Sequence, residues 1–372
     1  MTTAQYIEEI LASYEFDGNY TGYSQITAGH INCTFALQFE LNGKNKQYIA
    51  QQINTNVFKT PVELMENMVN VTNHLAEKIR LNGGDTEREA LYALIAKDGK
   101  PYHIMSDGTF WRCVNFITDA YSCDTIENPQ VFFNAGAAFG DFMSKLADFP
   151  GETLHETIPD FHNTKQRFKN FLAALESNKS GRKDSVKDEI EFVLQRKEDS
   201  EKLVDLIEKG ELPIRVTHND TKINNIMFDN QSNLGLCILD LDTVMPGLSL
   251  YDFGDAIRSG AGTAAEDEKD ASKMKLNVEL YKAYTEGYLS TAGKSLTPKE
   301  AENLAFSAKL LTFECGMRFL TDYLDGDVYF HTDYPEHNLV RCRTQFALVK
   351  DIEIHMDELN EITAKLYGRY SK

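Results

Sequence analysis

Apolar and polar positions predict strands in the first third of the chain and helices through most of the rest. Residues 4–14 place apolar side chains at helical spacing and predict a short amphipathic helix. The run Thr34-Phe35-Ala36-Leu37-Gln38-Phe39-Glu40-Leu41 leads through Asn42-Gly43 into residues 47–53. That pattern predicts a β-hairpin, because Asn-Gly accepts the positive φ angles of a tight type I′ turn. Thr60-Pro61-Val62-Glu63 supplies a capping hydroxyl, a first-turn proline and a glutamate three residues on, predicting a helix to about Arg80. Residues 110–117 read as one more strand, and helical spacing dominates from Pro129. Within that helical part, 179–202 predicts one solvated amphipathic helix with Val186, Ile190, Val193 and Leu194 on its apolar face. Two short apolar runs, 223–228 and 234–239, flank the turn-prone Asp229-Asn230-Gln231-Ser232-Asn233 and predict a second hairpin. A further capping box stands at Thr297-Pro298-Lys299-Glu300.

A chain of 372 residues with 42% apolar content can bury a large core and is expected to divide into two parts. The change of pattern puts the boundary near Thr118: a small β-rich, nucleotide-binding lobe at 1–118 and a larger, mainly helical lobe at 119–372. The class is therefore α+β. With 57 acidic against 38 basic residues the net charge is −19, which argues against nucleic acid as a partner. The six cysteines show no Cys-x-x-Cys spacing, so reduced thiols are expected. The N-terminal residues lack a basic segment followed by an apolar run, and no stretch reaches membrane-spanning length. The expectation is a cytoplasmic protein with no membrane and no obligate protein partner.

The chemistry lies in His218-Asn219-Asp220-Thr221-Lys222-Ile223-Asn224-Asn225. Its spacing, His-x-Asp-x-x-x-x-Asn before a strand, resembles the catalytic loop of the protein-kinase plan. There the aspartate takes a substrate hydroxyl proton and the asparagine five residues on holds magnesium. These roles point to Asp220 as base and Asn225 as metal ligand, with Lys222 supplying a cation for the developing phosphoryl charge. Leu236-Cys237-Ile238-Leu239 predicts a buried strand, so Asp240 at its end stands at a cleft rim and is the second expected metal ligand. Asp242 is the runner-up, on the same face if the strand continues. Asp252-Phe253-Gly254 spells the metal-binding triplet of protein kinases, but it precedes a predicted helix. Asp252 and Asp255 are better read as caps or braces for the catalytic loop.

The catalytic run, together with 238–247 and Tyr251-Asp252-Phe253-Gly254-Asp255, resembles the aminoglycoside phosphotransferase and choline kinase superfamily. The N-lobe segment 52–58 and the C-terminal segment 316–330 are similar in particular to its N-acetylhexosamine 1-kinases. The resemblance implies a protein-kinase-like bilobal fold. It also implies Mg2+-dependent transfer of the ATP γ-phosphoryl group to the anomeric hydroxyl of a small-molecule sugar, N-acetylglucosamine or N-acetylgalactosamine. Arg318 and Tyr329 would contact sugar hydroxyls, with Asp325 placed beside them. A guanidinium forks to two hydroxyls, and a phenol offers a hydrogen bond and a flat face.

Two features depart from the protein-kinase pattern. Gly29 is the one glycine marking a phosphate loop, so His30 and Asn32 are expected to supplement its backbone donors. The strand Tyr48-Ile49-Ala50-Gln51-Gln52-Ile53 carries glutamines where a protein kinase has its phosphate-binding lysine. Adenine is expected along Asn115 to Ile117, against backbone groups. Alternatives are a kinase of another small alcohol, aminoglycoside-, choline- or homoserine-like, or a nucleotide-binding pseudokinase.

Overall fold

The structure is a computed structural model that describes residues 1–26, 33–126 and 128–372. Its N-terminal part is a five-stranded antiparallel sheet in the order β1-β2-β3-β5-β4. The strands are β1 (Asn19–Ile26), β2 (Thr34–Leu41), β3 (Lys44–Ile53), β4 (His103–Ile104) and β5 (Phe110–Asn115). The β2–β3 turn has φ 53° at Asn42 and 75° at Gly43, as the dipeptide predicts. Successive side chains on a strand point to opposite faces, so the sheet is clothed twice. Helix α1 (Thr3–Ser13), closed by a reciprocal Thr2–Gln5 capping box, covers one face. There Ile7, Ile10 and Tyr14 meet Phe35, Leu37, Phe39 and Trp111. Helix α2 (Pro61–Leu81) covers the other, with Leu64, Met65, Met68 and Val71 against Ile53, Phe110 and Val114. The short helix α3 (Thr86–Glu89) follows α2.

The α2-side core does not stop at the sheet. It continues through Phe142 and Leu146 to Val216, Cys237, Leu241 and Val244, so one apolar cluster joins the N-terminal sheet to the segments carrying the catalytic motif. Those segments run between small sheets. β6 (Ala120–Tyr121), β8 (Ile226–Asp229) and β9 (Gly235–Ile238) pair in the order β6-β8-β9, while β7 (Arg215–Thr217) pairs with β10 (Met245–Gly247).

Helices form the remainder: α4 (Pro129–Lys145), α5 (Thr164–Ser177), α6 (Lys187–Leu194), α7 (Lys197–Glu208), α8 (Ser249–Gly260), α9 (Val278–Ala292), α10 (Pro298–Asp325) and α11 (His337–Tyr370). The fold is thus α+β, with a small antiparallel N-lobe sheet and a helical C-terminal part. Helices α4 and α9 cross closely at glycines. A Cβ on Gly287 would stand 2.0 Å from the Phe133 carbonyl oxygen, and one on Gly136 would stand 2.3 Å from that of Tyr284. Among the described residues no helix is long and apolar enough to cross a membrane.

Four local expectations are corrected. Thr60 makes no side-chain cap to α2, although Pro61 begins the helix as predicted. The stretch 179–202 is not one helix but a 3-10 turn, α6 and the start of α7. Its charge density masks a break between Leu194 and Lys197. The second hairpin begins at Ile226, because Ile223–Asn225 form a 3-10 turn that brings Asn225 back toward Asp220. Strand β9 ends at Ile238, so Asp242 does not share a strand face with Asp240.

Candidate active site

The catalytic loop leaves β7 at Thr217 and turns at Asn219, which has a left-handed φ of 65°. Asparagine tolerates that conformation better than most L residues, since its short amide can bond locally. Here it bonds Thr217 twice, accepting from Oγ1 (3.0 Å) and donating Nδ2 to the carbonyl (3.4 Å), and Nδ2 also donates to the distant Thr243 carbonyl (2.8 Å). Helix α8 braces the loop from behind. Asp252 Oδ2 and Oδ1 accept the backbone N–H groups of His218 (2.9 Å) and Asn219 (2.7 Å). Asp255 Oδ2 accepts that of Thr221 (3.0 Å). The Asp252-Phe253-Gly254 triplet is therefore buried helix whose aspartate shapes the loop.

His218 also shapes the loop. Its Nδ1 accepts the Asp220 N–H (3.3 Å), which leaves the proton on Nε2 to donate to the Leu239 carbonyl (2.8 Å). Asn225 donates Nδ2 to the Asp220 carbonyl (2.8 Å), so its Oδ1 is the atom left for a cation. Leu239 N–H in turn donates to the Asn225 carbonyl (2.8 Å), tying the two halves of the site together.

Asp240 follows with φ 53°, again left-handed, and immediately precedes a 3-10 turn over Leu241–Thr243 without capping it through its side chain. The residue is solvent-exposed, with protein crowded around it. The surrounding protein mass, and then Asp242 and Asp220, push its carboxyl up to about 6. Lys222 Nζ lies 2.8 Å from Asp220 Oδ1. Burial works against its ammonium, but Asp220 and Asp255 outweigh that and hold its pKa above the usual lysine value.

Among the described residues no group of three or more His, Cys, Asp or Glu side chains could hold a metal ion. The residues that could hold a cation are instead Asn225, through its amide oxygen, and Asp240, through its carboxylate, with Asp220 close enough to raise Asp240's pKa. Such a partial set of hard oxygens suits Mg2+, which keeps several waters and completes its shell with substrate phosphates.

A second constellation adjoins the loop on its other side. Glu314 and Arg318 lie one turn apart on α10, 3.8 Å between Oε1 and Nη1. The Arg318 guanidinium sits over the rings of Phe161 (5.4 Å), Phe330 (5.5 Å) and Tyr329 (5.8 Å). Glu314 also accepts from His162 Nδ1 (3.1 Å), whose Nε2 donates to the Asn219 carbonyl (3.1 Å) beside Asp220. Burial opposes charge on both partners. Glu314 nevertheless raises the His162 pKa, and His162, Arg318 and Arg167 lower that of Glu314.

These shifts fix the sign of a pH effect. A raised histidine contributes stability below about 6.5 that is lost as pH rises through its folded pKa. A depressed glutamate contributes above about 4.3 and loses that as pH falls through its own. The pair should therefore stabilise most between those limits. We expect His162→Gln to cost about 3 kcal/mol in urea unfolding at pH 6, with the gap to the parent protein narrowing at pH 9. A gap independent of pH would contradict this assignment.

Sequence reading thus gathers Asp220, Lys222, Asn225 and Asp240 into one site, and Arg318 with Tyr329 into another beside it. Asp325 falls elsewhere: its carboxylate pairs with Lys179 (3.2 Å). The acid that organises the segment is Asp322, which accepts the N–H groups of Val328 (2.9 Å), Tyr329 (2.8 Å) and Phe330 (3.0 Å). Asn115 is committed to structure, its amide bonding the Tyr92 N–H (2.8 Å) and the Ala90 carbonyl (2.9 Å) and its own N–H the Tyr92 carbonyl (3.3 Å). Ile117 is buried beyond the end of β5. Gly29, His30 and Asn32 lie outside the described residues. Sequence reasoning missed Arg112, His162 and Glu314. Arg112 and Glu314 had a signal: each is a lone charge inside an apolar run.

A five-stranded sheet over a helical part, with an aspartate-centred loop and a metal-competent carboxylate between them, defines a kinase-like phosphotransferase. The sequence profile of the phosphotransferase enzyme family (APH) matches residues 23–294, and the chain belongs to that family. Solved structures share the fold. A spectinomycin phosphotransferase in complex with ADP and spectinomycin is similar at TM-score 0.58 and 14% identity, over 96% of this chain and 99% of that one. Choline kinase from Cryptosporidium parvum Iowa II gives 0.54 and 16%, over 93% of each chain. An ethanolamine kinase from Plasmodium vivax gives 0.51 and 14%, over 87% and 82%.

Proposed function

We propose that this chain transfers the γ-phosphoryl group of ATP to the anomeric hydroxyl of an N-acetylhexosamine, releasing the sugar 1-phosphate and ADP. Asp220 receives the hydroxyl proton as the oxygen attacks phosphorus, and the bond from the γ-phosphorus to the bridging oxygen of ADP breaks. Lys222 orients Asp220 and faces the developing charge. Asn225 and Asp240 would hold Mg2+, which when bound neutralises charge on the phosphates. Adenine would lie against the backbone after β5, toward Ile117.

The observation that carries the acceptor assignment is Arg318, set among Phe161, Tyr329 and Phe330 and linked through Glu314 and His162 to the carbonyl beside Asp220. A guanidinium with aromatic faces suits a neutral polyhydroxyl ring bearing an acetamide. A cationic acceptor would meet the Arg318 guanidinium with a second one, Arg167, close by, although Glu314 pairs with Arg318. Choline-like and aminoglycoside acceptors fit this surface poorly.

The test is ADP release with Mg·ATP and a panel of free sugars, choline and aminoglycosides. N-acetylglucosamine or N-acetylgalactosamine should turn over with phosphate on C1 by phosphorus NMR. Turnover of another alcohol while both amino sugars stay inert would overturn the acceptor reading. Arg318→Ala should raise the sugar KM by about 10- to 100-fold, with the KM for ATP nearly unchanged.

A further inference from the structure

The N-terminal sheet lacks a lysine on β3 in the place a protein kinase uses, but it does not lack a buried cation. Arg112 stands on β5 directly opposite Gln51 of β3 and is 3% exposed. It lies on the sheet face that α2 covers. Its Nε and Nη2 both donate to Gln51 Oε1, at 3.0 and 2.6 Å. Its Nη1 rests against the sulfurs of Met65 (4.0 Å) and Met68 (3.5 Å) on α2. The same Nη1 pairs with Asp242, also 3% exposed, on the turn that follows Asp240. Helix α2 grips a nearby residue as well: Asn67 Nδ2 donates to the Val244 carbonyl (3.1 Å).

We infer that Arg112, anchored by Gln51, is a positioning residue that holds the Asp240 turn through Asp242 and so sets the metal-binding geometry from the N-terminal sheet. The inference rests on the kinase reading proposed above. A buried ion pair is close to neutral in stability against apolar residues of similar size. Its distinctive contribution is therefore geometric. Strand β9 ends at Ile238, and Asp240 makes its left-handed turn just beyond the last ladder bonds. The short 3-10 segment that follows is held in part by the Arg112–Asp242 contact.

The experiment measures ADP binding by calorimetry with and without Mg2+, so that the gain in affinity due to the ion is read apart from nucleotide contacts. The variants are the double substitution Arg112→Met with Asp242→Leu, which removes both charges together, and Gln51→Met, which removes only the anchor. The double variant should fold, bind ADP without Mg2+ within about twofold of the parent, and lose about tenfold of the Mg2+-dependent gain. Gln51→Met should lose part of that gain. An unchanged gain in a folded double variant would overturn the inference, as would equal losses with and without Mg2+. If the double variant does not fold, Gln51→Met decides: a reduced gain supports the positioning role, and an unchanged one refutes it. A parent protein showing no Mg2+-dependent gain would instead refute the kinase reading itself.

Discussion

Asp220→Asn should lower kcat by about 10³-fold while leaving ADP affinity within about twofold of the parent. The substitution is nearly isosteric, and the loop is shaped by other groups: Asp252 and Asp255 hold its backbone from α8, and His218 and Asn219 fasten it to the metal turn. What disappears is the proposed proton acceptor and the negative partner of Lys222. Single-turnover phosphoryl transfer separates this from a binding defect. A variant that retained parental turnover would remove Asp220 from the chemistry and assign the proton to another acceptor, whereas a parent protein that binds ADP but turns over no acceptor would leave the nucleotide-binding reading.

Asp252→Ala should be the most damaging single change outside the reacting groups. Its two carboxylate oxygens satisfy two buried backbone N–H groups that have no water to turn to. Leaving both unpaired costs about 3 kcal/mol, and a catalytic loop released by even an ångström can lose about 10²-fold in rate. Thermal unfolding and kcat, measured on the same preparation, should both fall. Asp252→Asn keeps one acceptor oxygen and should lie between the two. Loss of stability with full activity would show that α8 supports the fold but does not set the loop.

These two aspartates also mark what the sequence made legible. The β2–β3 hairpin, α2 and α4 could be read because each is specified locally, by Asn42-Gly43, by Pro61 and by Pro129. The loop from His218 to Asn225 could be read because its chemistry requires fixed spacing along one segment. Asp252 was separable from a metal role by its place at a helix start, although its partners at His218 and Asn219 lie more than thirty residues away and only folding supplies them.

The rest depended on long-range pairing. His162 and Glu314 are 152 residues apart, and neither sits in a recognisable motif. The condition placed on Asp242, that the strand continues, is not met, because β9 ends at Ile238 and the chain turns left-handed at Asp240, which alternation along a strand cannot anticipate. For a similar reason, sequence spacing does not single out Asp322 over Asp325. Both are acids near the end of α10, and only the path of the chain after Gly326 shows which one the returning backbone meets.

That return has a consequence for how such a protein can diversify. Residues 328–330 hang from a single carboxylate by main-chain bonds, which are indifferent to the side chains carried there. Tyr329 is 63% exposed and Val328 77%, so neither is locked by packing. The segment is a peg with interchangeable fittings. Val328 and Tyr329 can be rewritten without touching the bonds that shape Asp220, while Phe330 stays packed against Phe319, so novelty in what this surface presents need not be won at the expense of the loop beneath it.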